Sequence, residues 1–221
     1  MLERLKDLCA EQGYPLSELQ VAQFAALRDR LYEANQHKNY TRIAFEDCEE
    51  RHFGESCLIL DQIPHGARVL DIGTGPGFPA LPLAIARPDI TLLAIDSNGK
   101  MLEFLSASAP TNLQPILGRM EDQPWLDRFE VVTGRALAPL STQLELSARA
   151  CIKYGLVIPF RSDGEDYDVA AAHELGLAYE GVLKRQTSPD APVRVFPLYR
   201  KVAKTPSKYP RPWPTMKASP L

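Results

Sequence analysis

Glycines and carboxylates that follow two apolar runs carry the clearest chemistry in this chain. Residues 69–79 end a short apolar stretch with Asp71 and then place glycines at positions 73, 75 and 77. A second apolar run, residues 92–95, ends in Asp96, and the segment between the last glycine and this run is long enough for one helix. Glycine lets the backbone turn sharply and approach a ligand closely, and a carboxylate at the tip of the next strand can accept two hydrogen bonds from a ribose diol. The pattern therefore predicts a nucleoside-binding βαβ unit.

The spacing of the glycines indicates which nucleoside fits. A dinucleotide site usually has the spacing G-x-G-x-x-G, but the position of its third glycine is Phe78 here. Pro76 and Pro79 also lack the amide donors that a pyrophosphate would use. A nucleoside without phosphates suits this loop better, and S-adenosylmethionine is the common one. The alternative is a structural turn that binds no ligand.

Composition places the chain among ordinary soluble proteins. Its 221 residues are 45% hydrophobic and 24% charged, which suits one well-buried domain with an appendage. No apolar run approaches the roughly 18 residues of a membrane span, and the first seven residues are too charged for a signal peptide. The four cysteines form no C-x-x-C pair. We expect a cytoplasmic protein without a metal site or a membrane segment, and a monomer.

Charge is distributed unevenly along the chain. Residues 191–221 contain seven basic residues and no acid, whereas residues 1–190 contain 18 basic and 28 acidic residues. A basic tail on an acidic body points to an anionic partner, with nucleic acid the first candidate, although a merely solvated tail is the alternative. Residues 201–221 are rich in proline and lysine and are predicted to be an extended arm. The candidate RNA contacts in this arm are Lys201, Lys204, Lys208 and Arg211.

The order of the predicted elements indicates the fold. Residues 1–64 look helical, with a capping box at Ser17 and a further helix over about 45–60. Residues 65–200 alternate between strands and helices. Strands are predicted near 68–71, 91–95, 113–117, 130–133, 155–160, 178–185 and 193–200, and helices near 78–87, 98–108, 139–151 and 165–174. This order predicts an α/β class I methyltransferase sheet of seven mainly parallel strands, ending in an antiparallel hairpin.

Further candidate residues lie in the loops that should meet at the carboxyl ends of the strands. Met120 could lie against an adenine ring, and Glu121 or Asp122 could accept a hydrogen bond from its amine. Arg135 follows an apolar strand, so its guanidinium should lie beside the cofactor or the substrate, unless it is a surface charge. His52 belongs to a helical segment in which Arg51 and Glu55 can pair. A lone histidine in such a helix is more often an ordinary half-buried residue than a catalytic base.

Several stretches together resemble the RsmG (GidB) family, the bacterial 16S ribosomal RNA guanine-N7 methyltransferases. The similarity covers nearly the whole chain in order. The matching stretches are residues 39–43 (NYTRI), 51–56 (RHFGES), 71–79 (DIGTGPGFP), 96–100 (DSNGK), 134–136 (GRA), 209–211 (YPR) and 219–221 (SPL). The sequence departs from the family pattern in residues 159–164 and at Glu55, where aspartate is common. The resemblance implies the following cofactor contacts: Gly73, Phe78, Asp96, Met120, Glu121 and Arg135.

The implied reaction is methyl transfer from S-adenosylmethionine to guanine N7 in 16S ribosomal RNA or the small subunit, without a general base. Arg51, His52 and the basic arm would then bind the RNA backbone. Deletion of residues 201–221 should therefore weaken RNA binding and leave cofactor affinity unchanged. Three alternatives stay open. An NAD-linked oxidoreductase would need a different glycine spacing, and a small-molecule methyltransferase would have no use for the arm. A non-catalytic RNA-binding assembly factor with this fold is the third.

Overall fold

Seven strands form one mixed sheet in the computed structural model, which describes residues 2–164 and 167–221. The strands are β1 Arg68–Ile72, β2 Thr91–Asp96, β3 Leu113–Leu117, β4 Phe129–Arg135, β5 Cys151–Ser162, β6 Leu177–Arg185 and β7 Arg194–Lys201. Their order across the sheet is β3-β2-β1-β4-β5-β7-β6. β1 to β5 pair in parallel, while β7 lies antiparallel between β5 and β6. The predicted class I methyltransferase sheet and its terminal hairpin are confirmed.

Helices surround this sheet at most of the predicted positions. They are α1 Glu3–Glu11, α2 Glu18–Asn35, α3 Glu55–Cys57, α4 Ala80–Ala86, α5 Gly99–Ser108, α6 Leu140–Ala148, α7 Val169–Glu174 and α8 Trp213–Ala218. The predicted start of α7 at 165 lies outside the described residues. The capping box at Ser17 is present, and the Asn98 side chain accepts a hydrogen bond from the Lys100 amide at 3.1 Å. Across the described chain, no helix combines the length and apolar character that crossing a membrane requires.

Two hydrophobic clusters fill the two faces of the sheet, as strand alternation requires. Val69 and Leu92 belong to one cluster, whereas their neighbours Leu70 and Leu93 belong to the other. The first cluster also contains residues of α1 and α2, so the N-terminal helices share one hydrophobic core with the sheet, and α2 packs against α4 and α5. The boundary between residues 64 and 65 stays a prediction. Leu19, expected on the buried face of α2, is 70% exposed because it lies five residues, or about 140°, away from Phe24.

The segment before β1 differs from the single helix predicted over 45–60. It contains a π-helical turn at Glu49–Gly54, which leads directly into α3. A π turn is wider than an α turn and changes which side chains face inward. From His52 onward this segment is buried, His52 and Glu55 included, whereas the preceding Arg51 is exposed. This local geometry places both side chains next to the functional site described below.

The C-terminal segment corrects the prediction of an extended arm. Residues Trp213–Ala218 form a helix, and both Tyr209 and Met216 are almost completely buried in the second hydrophobic cluster. The Arg211 guanidinium forms an ion pair with Glu145 of α6 at 2.6 Å. The composition of the segment is polar, but its few large apolar residues are spaced so that they pack against α6 and α7. Residues 201–221 are therefore part of the folded body.

We expect replacement of Gly134 by alanine to destabilise the protein by about 1–3 kcal/mol. A Cβ atom there would lie 2.6 Å from the backbone oxygen of Ile72, and neither strand can move without breaking the ladder between β1 and β4. Urea unfolding measures the loss. Gly99→Ala is the matched control, because its Cβ would meet only ordinary contacts at 3.9 Å. Equal unfolding midpoints for the two variants would contradict the close strand packing.

Candidate active site

A cavity of about 210 Å³ lies at the carboxyl ends of β1, β2 and β3. It is lined by Ile72, Gly73, Ile95, Asp96, Ser97, Gly118, Arg119, Met120, Glu121, Leu137, Leu146 and Trp213. The loops that follow β1, β2, β3 and β4 all contribute to it, as the sequence predicted for loops at the carboxyl ends of the strands. The cavity is smaller than most small-molecule sites, so a ligand as large as S-adenosylmethionine would extend beyond it along the glycine loop.

Asp96 stands at the tip of β2 with both carboxylate oxygens held in place. Oδ2 accepts the Gly75 amide at 2.8 Å, and Oδ1 accepts the Asn98 amide at 2.7 Å. Each oxygen keeps a further acceptor position, which is what two ribose hydroxyl groups require. The backbone bonds fix the carboxylate before any ligand arrives. Asp96 is therefore placed as the sequence predicted for a ribose acceptor.

The glycine loop fits a closely approaching ligand. Gly73 has a φ of +71°, and a Cβ atom there would lie 2.4 Å from Cδ1 of Leu137. Beside it, Gly75 has a φ of +58° and would place a Cβ in open space. Only glycine adopts such conformations at low cost, and the open side leaves the main chain accessible. The loop therefore has the features expected for contact with the cofactor.

Asp71, at the end of β1, is completely buried below this loop. Neither carboxylate oxygen has a hydrogen-bond partner among the described residues. Burial raises the pKa of Asp71 to about 7, and the nearby Thr74 hydroxyl, Ala80 amide and Arg135 charge only partly oppose this rise. An unpartnered buried acid is costly in a free protein and suits a site that receives a positively charged ligand. S-adenosylmethionine carries such charges on its sulfonium and ammonium groups.

The loop after β3 carries the residues predicted to contact adenine, and two of them line the cavity. Met120 is buried and lines the cavity, and Glu121 lines it with a carboxylate 3.6 Å from the Arg119 guanidinium. Asp122, the other acceptor considered for the adenine amine, is exposed and does not line the cavity. The geometry therefore favours Glu121 over Asp122.

A second cavity, of about 510 Å³, adjoins the first and shares Leu137 with it. Four arginines and one carboxylate supply its charged lining: Arg51, Arg135, Arg161, Arg194 and Glu55. Apolar side chains, including Phe160 and Phe196, complete it. Its volume suits a ligand of nucleotide size, and its charge suits an anion. Arg161 and Arg194 were not singled out from the sequence, because nothing in their local pattern distinguishes them from surface charges.

Arg135 belongs to this second cavity and is held by the helical segment before β1. One of its nitrogens donates to the Arg51 backbone oxygen at 2.9 Å, and another lies 3.2 Å from Nδ1 of His52. Glu55 lies 3.6 Å from the Arg135 guanidinium and 2.5 Å from that of Arg194. Burial lowers the pKa of Arg135, and the Glu55 carboxylate opposes that shift. Arg135 therefore faces the second cavity and does not line the first.

His52 and Phe78 support the site from behind; burial of His52 corrects the expectation that it contacts RNA, and a cofactor contact at Phe78 stays a prediction. His52 is 4% exposed, and burial together with the Arg135 and Arg51 charges lowers its pKa to about 3. His52 is therefore neutral and buried, so it cannot contact the RNA backbone. Its ring stacks on Phe78 with centroids 4.0 Å apart. The Phe78 side chain lines neither cavity, and its amide donates to the Thr74 oxygen at 3.0 Å.

The basic residues of the tail are distributed differently from the prediction. Lys201 is 2% exposed, with its ammonium bonded to the Ala148 oxygen at 2.7 Å, so it cannot contact RNA. Lys208 pairs with Glu174 at 3.0 Å, and Arg211 with Glu145. Lys204 is exposed. The segment instead supplies Trp213 to the cofactor cavity, which the sequence prediction missed. The indication was available, since exposed arms contain few aromatic residues.

Together, the sheet order, the glycine loop and Asp96 at the tip of β2 define a class I methyltransferase. Within the described ranges, 2–164 and 167–221, no cluster of three metal-ligating side chains is found. Solved structures agree with the fold. The TehB-like SAM-dependent methyltransferase from Corynebacterium glutamicum superposes with a TM-score of 0.58 at 18% identity, covering 78% of this chain and 98% of that one. TYW2 of M. jannaschii in complex with AdoMet gives a TM-score of 0.55 at 18% identity, covering 67% and 75%.

Sequence relatives identify the family. The family model described as rRNA small subunit methyltransferase G (GidB) matches residues 20–185. The ribosomal RNA small subunit methyltransferase G of Lactobacillus delbrueckii subsp. bulgaricus is 35% identical over 237 aligned positions, covering 99% of each chain. That of Lachnoclostridium phytofermentans is 32% identical, covering 90% of this chain and 88% of the relative. This chain belongs to the rRNA small subunit methyltransferase G family. It is an enzyme whose cofactor is S-adenosylmethionine.

Proposed function

We propose that this enzyme transfers the methyl group of S-adenosylmethionine to N7 of a guanine in 16S ribosomal RNA. The observation that carries the proposal is the pair of adjoining cavities. One presents Asp96 and the glycine loop to a nucleoside, and the other presents four arginines to an anion. Leu137 lies between them, where a methyl donor and an acceptor base would meet. We also propose that the protein acts as a cytoplasmic monomer.

The acceptor chemistry agrees with the residues of the site. Guanine N7 already carries an unprotonated lone pair, so no general base has to remove a proton. Bound S-adenosylmethionine supplies an electrophilic methyl group, whose bond to sulfur breaks as its bond to N7 forms. The neutral His52 and the cationic Arg135 are both unsuited to proton abstraction here. The residues instead orient the base and hold it at roughly 3–3.5 Å from the methyl carbon, where positioning supplies much of the rate enhancement.

The reaction moves a positive charge from cofactor to base, so the site needs no strong anion stabilisation. The arginines of the second cavity are then better suited to the phosphates that flank the guanine than to the reacting atom. Glu55 keeps Arg135 and Arg194 in place and reduces the excess of positive charge. The proposed cofactor contacts are Gly73, Asp96, Met120 and Glu121, and the proposed phosphate contacts are Arg51, Arg161 and Arg194.

Incubation with methyl-labelled S-adenosylmethionine tests the function directly. The acceptors are protein-free 16S RNA, assembled small subunits and a protein mixture, each from cells that lack this enzyme, and the labelled base is mapped. We expect label at N7 of one guanine in RNA or subunits. Binding of RNA and cofactor without any transfer would favour the non-catalytic assembly factor instead. Label confined to protein would refute the proposal.

We expect Arg51→Ala to weaken RNA binding several-fold at moderate salt and to leave S-adenosylmethionine affinity unchanged. Arg51 is exposed and lines the second cavity but not the first. Removal of one phosphate contact should make the slope of log K against log salt less negative by about 0.7 for single-stranded RNA. Filter binding across a salt series measures the slope. Lys153→Ala is the control, since this exposed cation lies near the start of β5, whereas the cavities lie at the carboxyl ends of the parallel strands. A slope in Arg51→Ala that is unchanged and equal to that of the control would show that Arg51 does not contact an RNA phosphate.

A further inference from the structure

Trp213 lies in the wall of the cofactor cavity, on a helix that comes well after the last strand of the sheet. It belongs to the apolar part of that wall, together with Ile72, Ile95, Met120, Leu137 and Leu146. Trp213 is half-buried, so part of its indole surface is still accessible to a ligand. The chain leaves β7 at the opposite end of the sheet from the cavity, because β7 is antiparallel to β5 and its Arg200 pairs with Leu156. The C-terminal segment therefore crosses the sheet to complete the cavity.

Specific contacts hold the segment along this path. Arg211 donates to the Glu145 carboxylate through its backbone amide at 2.7 Å and through two guanidinium nitrogens at 2.9 and 2.6 Å. Glu145 is completely buried on α6, next to the cavity residue Leu146. Such a carboxylate would lose its cationic partner if the segment moved away. Tyr209 and Met216 anchor the chain on either side of this ion pair, since they are 2% and 0% exposed.

We propose that Trp213 is an S-adenosylmethionine-binding residue, and that the Arg211–Glu145 ion pair positions it. The inference deepens the cofactor assignment on which it rests. An indole face beside Met120 offers the adenine ring a flat apolar surface opposite the polar Asp96 and Glu121. The indole also screens the cavity from solvent, which strengthens the hydrogen bonds made to the ribose and the adenine amine. The segment that composition assigned to RNA thus contributes to cofactor binding.

Trp213→Ala should weaken binding of S-adenosylhomocysteine about tenfold or more, as loss of base–aromatic stacking does elsewhere. Trp213→Phe keeps an aromatic face and should lose less. Calorimetric titration measures both affinities, and thermal unfolding verifies that each variant folds. Lys217→Ala is the matched control, because Lys217 is exposed on the same short helix and does not line the cavity. Equal affinities in Trp213→Ala and the control would overturn the proposal.

Tryptophan fluorescence gives an independent measurement. The chain has two tryptophans, and the other, Trp125, is 8% exposed and packs on Phe129. S-adenosylhomocysteine should change the emission of the natural protein and of Trp125→Phe, but not that of Trp213→Phe. Arg211→Ala should shift the Trp213 emission of the free protein to longer wavelength and lower the affinity together. An Arg211→Ala protein with natural emission and affinity would contradict the positioning role.

The experiments distinguish failure of this inference from failure of the assigned cofactor. If the natural protein does not bind S-adenosylhomocysteine at all, the cofactor assignment itself fails. If the natural protein binds normally, the Trp213 emission does not change and Trp213→Ala binds equally well, then only the role of the C-terminal segment fails. In that case deletion of residues 209–221 would also leave cofactor affinity unchanged. We expect the deletion to reduce this affinity sharply.

Discussion

Replacement of Asp96 by alanine should reduce S-adenosylmethionine affinity by at least about 100-fold. The variant loses both acceptors for the ribose diol, and each hydrogen bond to a charged group contributes about 1.5–3 kcal/mol. It also releases the Gly75 and Asn98 amides, which Asp96 now holds at 2.8 and 2.7 Å. The glycine loop is then less well fixed for the ligand. Titration calorimetry with S-adenosylmethionine and with its thioether product measures the loss.

Two further variants separate ligand contact from loop support. Asp96→Asn keeps one acceptor oxygen and nearly the same shape, so its affinity should fall between those of alanine and the natural residue. Asp122→Ala is the control, because Asp122 is an exposed acid at the same edge of the sheet and does not line the cavity. Near-native binding by a folded Asp96→Ala protein would show that the nucleoside lies elsewhere.

Replacement of Asp71 by asparagine should stabilise the free protein above pH 7. The pKa of Asp71 is about 7 in the folded protein against an ordinary value of 3.8. Because the folded pKa is raised, its stabilisation is complete below about pH 4 and is lost as the pH rises to about 7. The loss is at most about 4 kcal/mol, at roughly 1.36 kcal/mol per pH unit. Asparagine cannot ionise, so the variant does not lose this stability as the pH rises. Urea unfolding at pH 4 and pH 8 measures the difference, which should be absent at pH 4.

The same variant should bind S-adenosylmethionine roughly tenfold more weakly at pH 8, because the ionised Asp71 attracts the positive charges of the cofactor. The gain in stability and the loss in affinity together would identify a buried charge retained for binding.

His52 provides the opposite case. Its pKa is lowered to about 3, so its contribution to stability is present above its ordinary value of 6.5 and is lost as the pH falls towards 3. The His52→Gln protein should therefore lose the acid-side slope that Asp71→Asn retains. Parallel stability curves for Asp71→Asn and the natural protein would contradict the assignment at Asp71.

The alternation of apolar runs and glycine-containing loops was enough to predict the sheet and most of its helices. The central strands are buried on both faces, so their apolar runs are continuous and easily recognised. The glycine loop and Asp96 were recognisable because both lie within one βαβ unit, where spacing along the chain controls spacing in the fold. Met120 and Glu121 followed from the rule that the carboxyl ends of the strands share one edge. The π-helical turn before α3 left no comparable pattern in the sequence.

The C-terminal segment shows where such reasoning fails. Its prolines and lysines predict an extended arm, but the positions of a few apolar residues decide its path. Tyr209 and Met216 join the hydrophobic cluster that contains residues of α6 and α7, which lie much earlier in the chain. Arg211 likewise pairs with Glu145, 66 residues away. No local sequence pattern predicts these contacts, because they depend on how the sheet brings distant helices together.

The sequence by itself determined the class of fold, the glycine loop and the position of Asp96 at the tip of β2, because these features depend on neighbours that are close along the chain. Only the tertiary structure decided that His52 is a buried neutral support, that Arg135 faces a second cavity, and that Trp213 lines the first. Each of these outcomes depends on burial and charge contributed by elements far apart in the chain. A side chain acquires its pKa, its partners and its accessibility from that packing.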